Sequence, residues 1–144
     1  GACAPAIPLY ACDGYRLLTE AEWEVAGRCG DEDKYAGGSI AGHVAWYAGN
    51  SGDEPHPVAT KRVNACGVYD MSGNVAEWVH DGYRIPSANA ELAIDPLGAQ
   101  RGDNYTIRGG SWALSRLSEL RLTFRDYGER GRDDLGFRVA RYAE

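Results

Sequence analysis

The side chains that could bind a metal or carry a covalent intermediate are few, and their spacing limits the chemistry. Four cysteines, Cys3, Cys12, Cys29 and Cys66, are separated by 9, 17 and 37 residues. There is no Cys-x-x-Cys pair, so the signature of a structural zinc site is missing. An even count leaves disulfides open, with three possible pairings. The three histidines, His43, His56 and His80, show no His-x-x-x-His and no two-histidine, one-carboxylate spacing, and each reads as a loop or surface residue. Nucleophile elbow, P-loop and dinucleotide fingerprints are absent as well.

A different kind of chemistry is concentrated near the C-terminus. Residues 113–134 are rich in Ser, Arg, Asp, Glu and Tyr, and lie between Arg108-Gly109-Gly110-Ser111-Trp112 and Gly136-Phe137-Arg138-Val139-Ala140. Those residue types favour adaptable protein-binding surfaces. The charge is uneven too. Residues 1–100 carry 6 basic against 14 acidic side chains, and residues 101–144 carry 9 arginines against 7 acids, within a net charge of −6. A net acidic chain is a poor nucleic-acid binder. Its arginine-rich tail fits internal ion pairs or a single recognition surface.

The elements that must position these residues can be read in outline. With 144 residues, 44% hydrophobic and 25% charged, the chain is expected to form one domain, residues 1–144, with a sizeable core. No apolar run approaches the roughly 20 residues of a membrane helix, so no membrane insertion is expected. Thr19 followed by Glu22 is a capping box, and it predicts a helix running to Arg28. From Gly30 to Pro57 neither a helical nor a strand period survives. A second helical turn is predicted over Asn74–Val79, and residues 82–104 read as loop. Strands are predicted at Tyr105–Arg108, Leu120–Arg125 and Gly136–Arg141. In the second of these Leu120, Leu122 and Phe124 alternate with Arg121, Thr123 and Arg125. An early helix, late strands and much loop predict an α+β fold.

Four segments in order resemble the family of formylglycine-generating enzymes, the sulfatase-modifying factors. They are Gly14-Tyr15-Arg16-Leu17-Leu18-Thr19-Glu20-Ala21-Glu22-Trp23-Glu24, then Asn64-Ala65-Cys66-Gly67-Val68-Tyr69-Asp70-Met71-Ser72-Gly73-Asn74-Val75-Ala76-Glu77-Trp78, and the two landmarks that flank residues 113–134. The resemblance spans residues 14–140 and implies a C-type lectin-like fold: a twisted antiparallel sheet with two helices and much irregular loop. Only thirteen residues precede the first segment, so the domain is expected to be short at its N-terminus compared with the family.

The resemblance also sets expectations for the site. The family's copper(I) cysteines correspond here to Leu114 and Glu119, which cannot replace soft thiolates, so no copper is expected. Asp70, Gly73, Val75 and Glu77 occupy positions that supply calcium ligands in the family, which implies a structural Ca²⁺ held by two carboxylates and two carbonyls. The Gly109-Gly110-Ser111 turn and Trp112 read as structural packing beneath the final strand, with Trp112 bordering the segment that follows. That segment resembles the hypervariable patch of the variable proteins of diversity-generating retroelements. The displayed set is then Trp112, Ser115, Arg116, Ser118, Glu119, Arg121, Thr123, Arg125, Asp126 and Tyr127, with a protein as ligand. The expected function is non-catalytic ligand binding. The alternative is an enzyme of the same superfamily using Glu119 or Asp126 as general base, in a pocket beside Trp112. Arg101-Gly102-Asp103 also reads as an adhesion tripeptide, of a kind that arises by chance in Gly- and Arg-rich loops.

Overall fold

The structure is a computed structural model and describes residues 1–3, 8–85, 87, 96–99 and 102–142. After a 3₁₀ turn at Leu9–Ala11 come strand β1 (Arg16–Leu17), helix α1 (Glu20–Arg28) and the one-turn helix α2 (Ala41–Val44). Strands β2 (Ala76–Gly82) and β3 (Tyr105–Arg108) follow, then a 3₁₀ turn at Leu117–Leu120 and strands β4 (Asp126–Gly128), β5 (Leu135–Phe137) and β6 (Val139–Ala140). The main sheet has the order β4-β3-β2-β5, and β1 pairs with β6 in a two-stranded sheet. All pairings are antiparallel except β2 with β5, which is parallel. The architecture is the α+β, C-type lectin-like one that the resemblance implies, with a parallel edge added to it.

Helix α1 begins where its capping box requires. Thr19 Oγ1 accepts from the Glu22 amide, and Glu22 accepts from the Thr19 amide, so two orphan donors are met reciprocally. At the other end Cys29 turns left-handed at φ 49°. The buried Asn64 side chain donates to the carbonyls of Ala26 and Gly27, at 2.7 and 3.1 Å. Asn64 therefore meets two carbonyls that have no partner within the helix. The Cys29–Cys66 disulfide links the same two segments, and Cys3–Cys12 closes the N-terminal loop. Of the three possible pairings, the fold selects this one.

The helix packs on the main sheet through a core of Leu18, Trp23, Ala36, Met71, Val79 and Leu122. A second cluster of Tyr35, Ala41, Val44, Ala45 and Leu120 lies beneath the loop region. Trp23, fully buried, donates its indole N–H to Glu77 on β2 at 2.7 Å.

Three predicted elements differ from those observed. Asn74–Val79 is not helical: Gly73 and Asn74 turn left-handed, at φ 77° and 62°, and the chain enters β2. This central strand is mostly buried along its whole length, so it lacks the alternation by which a strand is recognised. Leu120–Arg125 is not a strand either. Leu120 and Leu122 do point inward, but the chain there is a 3₁₀ turn followed by a bend, and the strand begins at Asp126. Gly136–Arg141 is broken at Arg138 into β5 and β6, which belong to different sheets, because Arg138 turns in to bind Glu77. Predicted loop 30–57 contains α2, and loop 82–104 lies partly outside the described residues.

Candidate ligand-binding surface

Residues 111–123 form a surface loop whose backbone is fixed while most of its side chains face outward. The Gly109-Gly110 turn starts it. Gly110 has φ 68°, and a Cβ there would lie 2.5 Å from the Glu119 carbonyl, so only glycine lets the returning chain pass this closely. Ser111 is fully buried and donates to Asp134 at 2.7 Å, and the Trp112 amide donates to Asn74 at 2.7 Å. The Leu114 carbonyl accepts from Ala48, and the Leu122 amide donates to Lys34. Leu120 anchors the loop in one core cluster and Leu122 in the other.

Between these anchors Ser115, Arg116, Leu117, Ser118, Arg121 and Thr123 are exposed. Among the described residues Arg116 and Arg121 make no ion pair, whereas Arg108, Arg125, Arg132 and Arg138 all do. The tail arginines thus fall into different classes. Arg108, Arg125, Arg132 and Arg138 tie the fold together, while Arg116 and Arg121 are exposed on the loop.

The remaining members of the expected set are placed differently. Arg125 donates to both oxygens of Glu20 and to the Arg84 carbonyl, and sits over the Tyr83 ring. Asp126 lies on β4, paired with Arg132 at 3.0 Å and accepting from the Tyr127 amide. Tyr127 is exposed on β4 and packs against Tyr83. Glu119 is half-buried. Trp112 is half-buried, its indole N–H enclosed without a partner among the described residues and its carbonyl accepting from Ser51. Arg125 and Asp126 are therefore structural here, because neighbours brought close only by folding engage them. Of the adhesion tripeptide, Arg101 lies outside the described residues.

The donor set does not suit copper(I). Leu114 and Glu119 offer no thiolate, and all four cysteines are joined in disulfides. The expected calcium ligands do not fit as arranged either. Glu77 Oε2 accepts from Trp23 and from Arg138 Nε, both at 2.7 Å, while Oε1 meets Arg138 Nη2. The same guanidinium donates to the Tyr69 carbonyl at 3.0 Å, and Asp70 accepts from the Ala59 amide at 2.8 Å. A positively charged group thus lies on the carboxylate the ion would need. Saturating calcium and excess EGTA are accordingly expected to give melting temperatures within about 1 °C of each other by scanning calorimetry. An ion binding only the native state would raise the temperature with its concentration.

Asp81 is a buried titratable residue that the sequence reading did not single out. It is buried on β2 and accepts from the Glu20 amide at 2.7 Å, at the start of α1. Gly98 packs so tightly on it that a Cβ there would overlap the carboxylate oxygen. Burial pushes its pKa up to about 6, and the Glu20 charge adds to the rise, while the Glu20 amide and Arg125 oppose it. A carboxyl whose folded pKa is raised favours folding while protonated. That contribution is complete below about pH 4 and is lost as pH rises through about 6. Asp81→Asn keeps an acceptor for the Glu20 amide and carries no charge. It is expected to exceed the unmodified protein in stability by on the order of 3 kcal/mol at pH 7.5. Thermal melts should show the gap closing towards pH 4.

The histidines hold no site together. His43 ends α2, His80 lies on β2, and His56 stacks on Trp46 at 3.7 Å, with Lys61 3.9 Å from the Trp46 ring centre. A cavity of about 470 Å³ does exist, walled by Trp78, Tyr105 and Phe137, and Trp112 takes no part in it.

With this geometry in view, residues 2–143 match the family model described as the sulfatase-modifying factor enzyme 1-like domain. The structure of Treponema denticola variable protein 1 is similar at TM-score 0.82 and 38% identity, covering 88% of this chain and 47% of that one. PvdO from Pseudomonas aeruginosa is similar at TM-score 0.68 and 32% identity, covering 93% and 55%. The formylglycine-generating enzyme of Streptomyces coelicolor is 32% identical over 151 residues, 91% of this chain and 48% of the enzyme. The chain spans about half the length of these relatives. Fold, ordered motifs and family match agree, and the chain belongs to the family of formylglycine-generating enzymes and sulfatase-modifying factors.

Proposed function

We propose that this domain is a non-catalytic binding module that presents residues 115–123 to a protein ligand, in the manner of the variable proteins of diversity-generating retroelements. The observation that carries this reading is the division of labour within one segment. Leu120, Leu122 and the backbone bonds hold its course, while Ser115, Arg116, Ser118, Arg121 and Thr123 face solvent with no side-chain bond to the described protein. Such a loop tolerates change in what it displays without loss of its frame. The likeness to a protein named as a variable protein supports the same view. The general bases of the enzyme alternative are poorly placed, since both oxygens of Asp126 are already engaged and Glu119 lies on the same surface loop.

Sequencing this gene from many cells of one population tests the reading. Substitutions should concentrate at 115, 116, 118, 121 and 123, with Leu120 and Leu122 constant. Sparse, even change along the chain would count against diversification. In parallel, Arg116→Ala with Arg121→Ala should leave stability within about 0.5 kcal/mol of the unmodified protein, because neither side chain has a partner to lose. A larger loss in urea titrations would show that the loop is held by its arginines.

A further inference from the structure

We propose that the groove on the far face of the main sheet binds a methylated ammonium group. The register assembles it. Trp78 on β2 lies opposite Phe137 on β5 and Ile107 on β3, and Tyr105, two residues before Ile107, falls on the same face. The rings of Trp78 and Tyr105 stand nearly perpendicular, at 84°, with centroids 5.9 Å apart. Phe137 forms a third wall and is 66% exposed, although it is a large aromatic residue on a paired strand. Leu17 adds a further apolar side chain to this open groove of about 470 Å³, a size suited to a small molecule.

The charge of the groove selects the ligand. Glu129 follows Gly128, the β4 partner of Tyr105, and brings a carboxylate to the rim. It is exposed and makes no ion pair among the described residues. Elsewhere in the molecule a cation already lies over an aromatic ring: Lys61 over Trp46, Arg125 over Tyr83, Arg16 over Tyr10. Among the described residues, neither Trp78 nor Phe137 carries such a cation. Ring faces attract positive charge through their quadrupole, and a methylated ammonium adds apolar surface that fits between them. An anion would meet the Glu129 carboxylate. This site lies apart from the loop at 115–123, and the inference stands without the protein-binding reading.

Tetramethylammonium, choline and a short peptide bearing trimethyllysine are the probes, titrated at constant ionic strength while the Trp78 indole N–H is followed by NMR. Saturable shifts are expected for tetramethylammonium. Choline binding more tightly than the peptide would identify a free small molecule as the source, and the reverse a modified side chain. Phe137→Ala is expected to weaken binding about tenfold and Glu129→Gln about threefold or more, and 3,3-dimethylbutanol, the uncharged analogue of choline, to bind at least tenfold less well. Both residues are exposed, so the folded state should survive either change, and matching melting curves check this. The proposal is overturned by the absence of saturation at 50 mM, about the upper end of weak small-ligand affinities. Equal affinity for the neutral analogue would overturn it too, as would unchanged binding in both variants. A dimer abolished by Phe137→Ala and indifferent to tetramethylammonium would assign the groove to a second copy of the chain instead.

Discussion

Replacing Arg138 by alanine is expected to destabilise the domain by about 3–5 kcal/mol, the usual result of leaving a buried charge without its partner. Glu77 has a side chain only 5% exposed, and it would keep just the Trp23 indole N–H as a donor. For a domain of this size the melting temperature should fall on the order of 10–15 °C. Glu77→Gln in the same background should restore part of the loss, since no buried charge is then left unpaired. The double variant measured against both singles gives the coupling directly. A cost below about 1 kcal/mol for Arg138→Ala would mean that something else neutralises Glu77. Repeating the melts in calcium and in EGTA would then show whether that agent is the ion.

Opening the Cys29–Cys66 disulfide should have an effect of similar size by a different route. The cross-link spans 37 residues and Cys3–Cys12 spans 9. Loop-closure entropy gives about 4 kcal/mol for the longer loop and about 2.5 kcal/mol for the shorter. The paired variant Cys29→Ala with Cys66→Ala should therefore unfold at markedly lower denaturant than Cys3→Ala with Cys12→Ala. Near the longer bridge the native contacts should persist, because Asn64 continues to bind the last carbonyls of α1. If the two pairs of substitutions cost the same, the unfolded chain is not governed by loop length, and strain or residual structure dominates instead.

These expectations rest on contacts of very different legibility. Helix α1 could be read residue by residue, because a capping box acts over three positions and needs nothing from the rest of the chain. Strand β3 was predicted with its observed bounds, Tyr105–Arg108. The inward direction of Leu120 and Leu122 was legible as well, but the type of element was not. Alternation reports which side of the chain is buried and does not report whether hydrogen bonds run to a neighbouring strand. Strand β2 was misread because its polar residues have partners distant in sequence: Trp23 and Arg138 for Glu77, the start of α1 for Asp81.

The sequence by itself determined the family, through four motifs kept in order, and with it the fold class. It also placed an aliphatic side chain, Leu114, and a carboxylate, Glu119, at the positions that correspond to the family's copper cysteines. The position of the segment proposed for display followed from its two landmarks. Only the tertiary structure decided which of its side chains are free. Arg121 and Arg125 are four residues apart and chemically identical, yet one is unpaired and the other clasps Glu20, 105 residues away in sequence. The disulfide pairing, the arginine lying on the expected calcium carboxylate and the aromatic groove were settled in the same way. Each depends on groups far apart along the chain that meet only when the sheet and helix have packed, and residue type and spacing hold no record of such meetings.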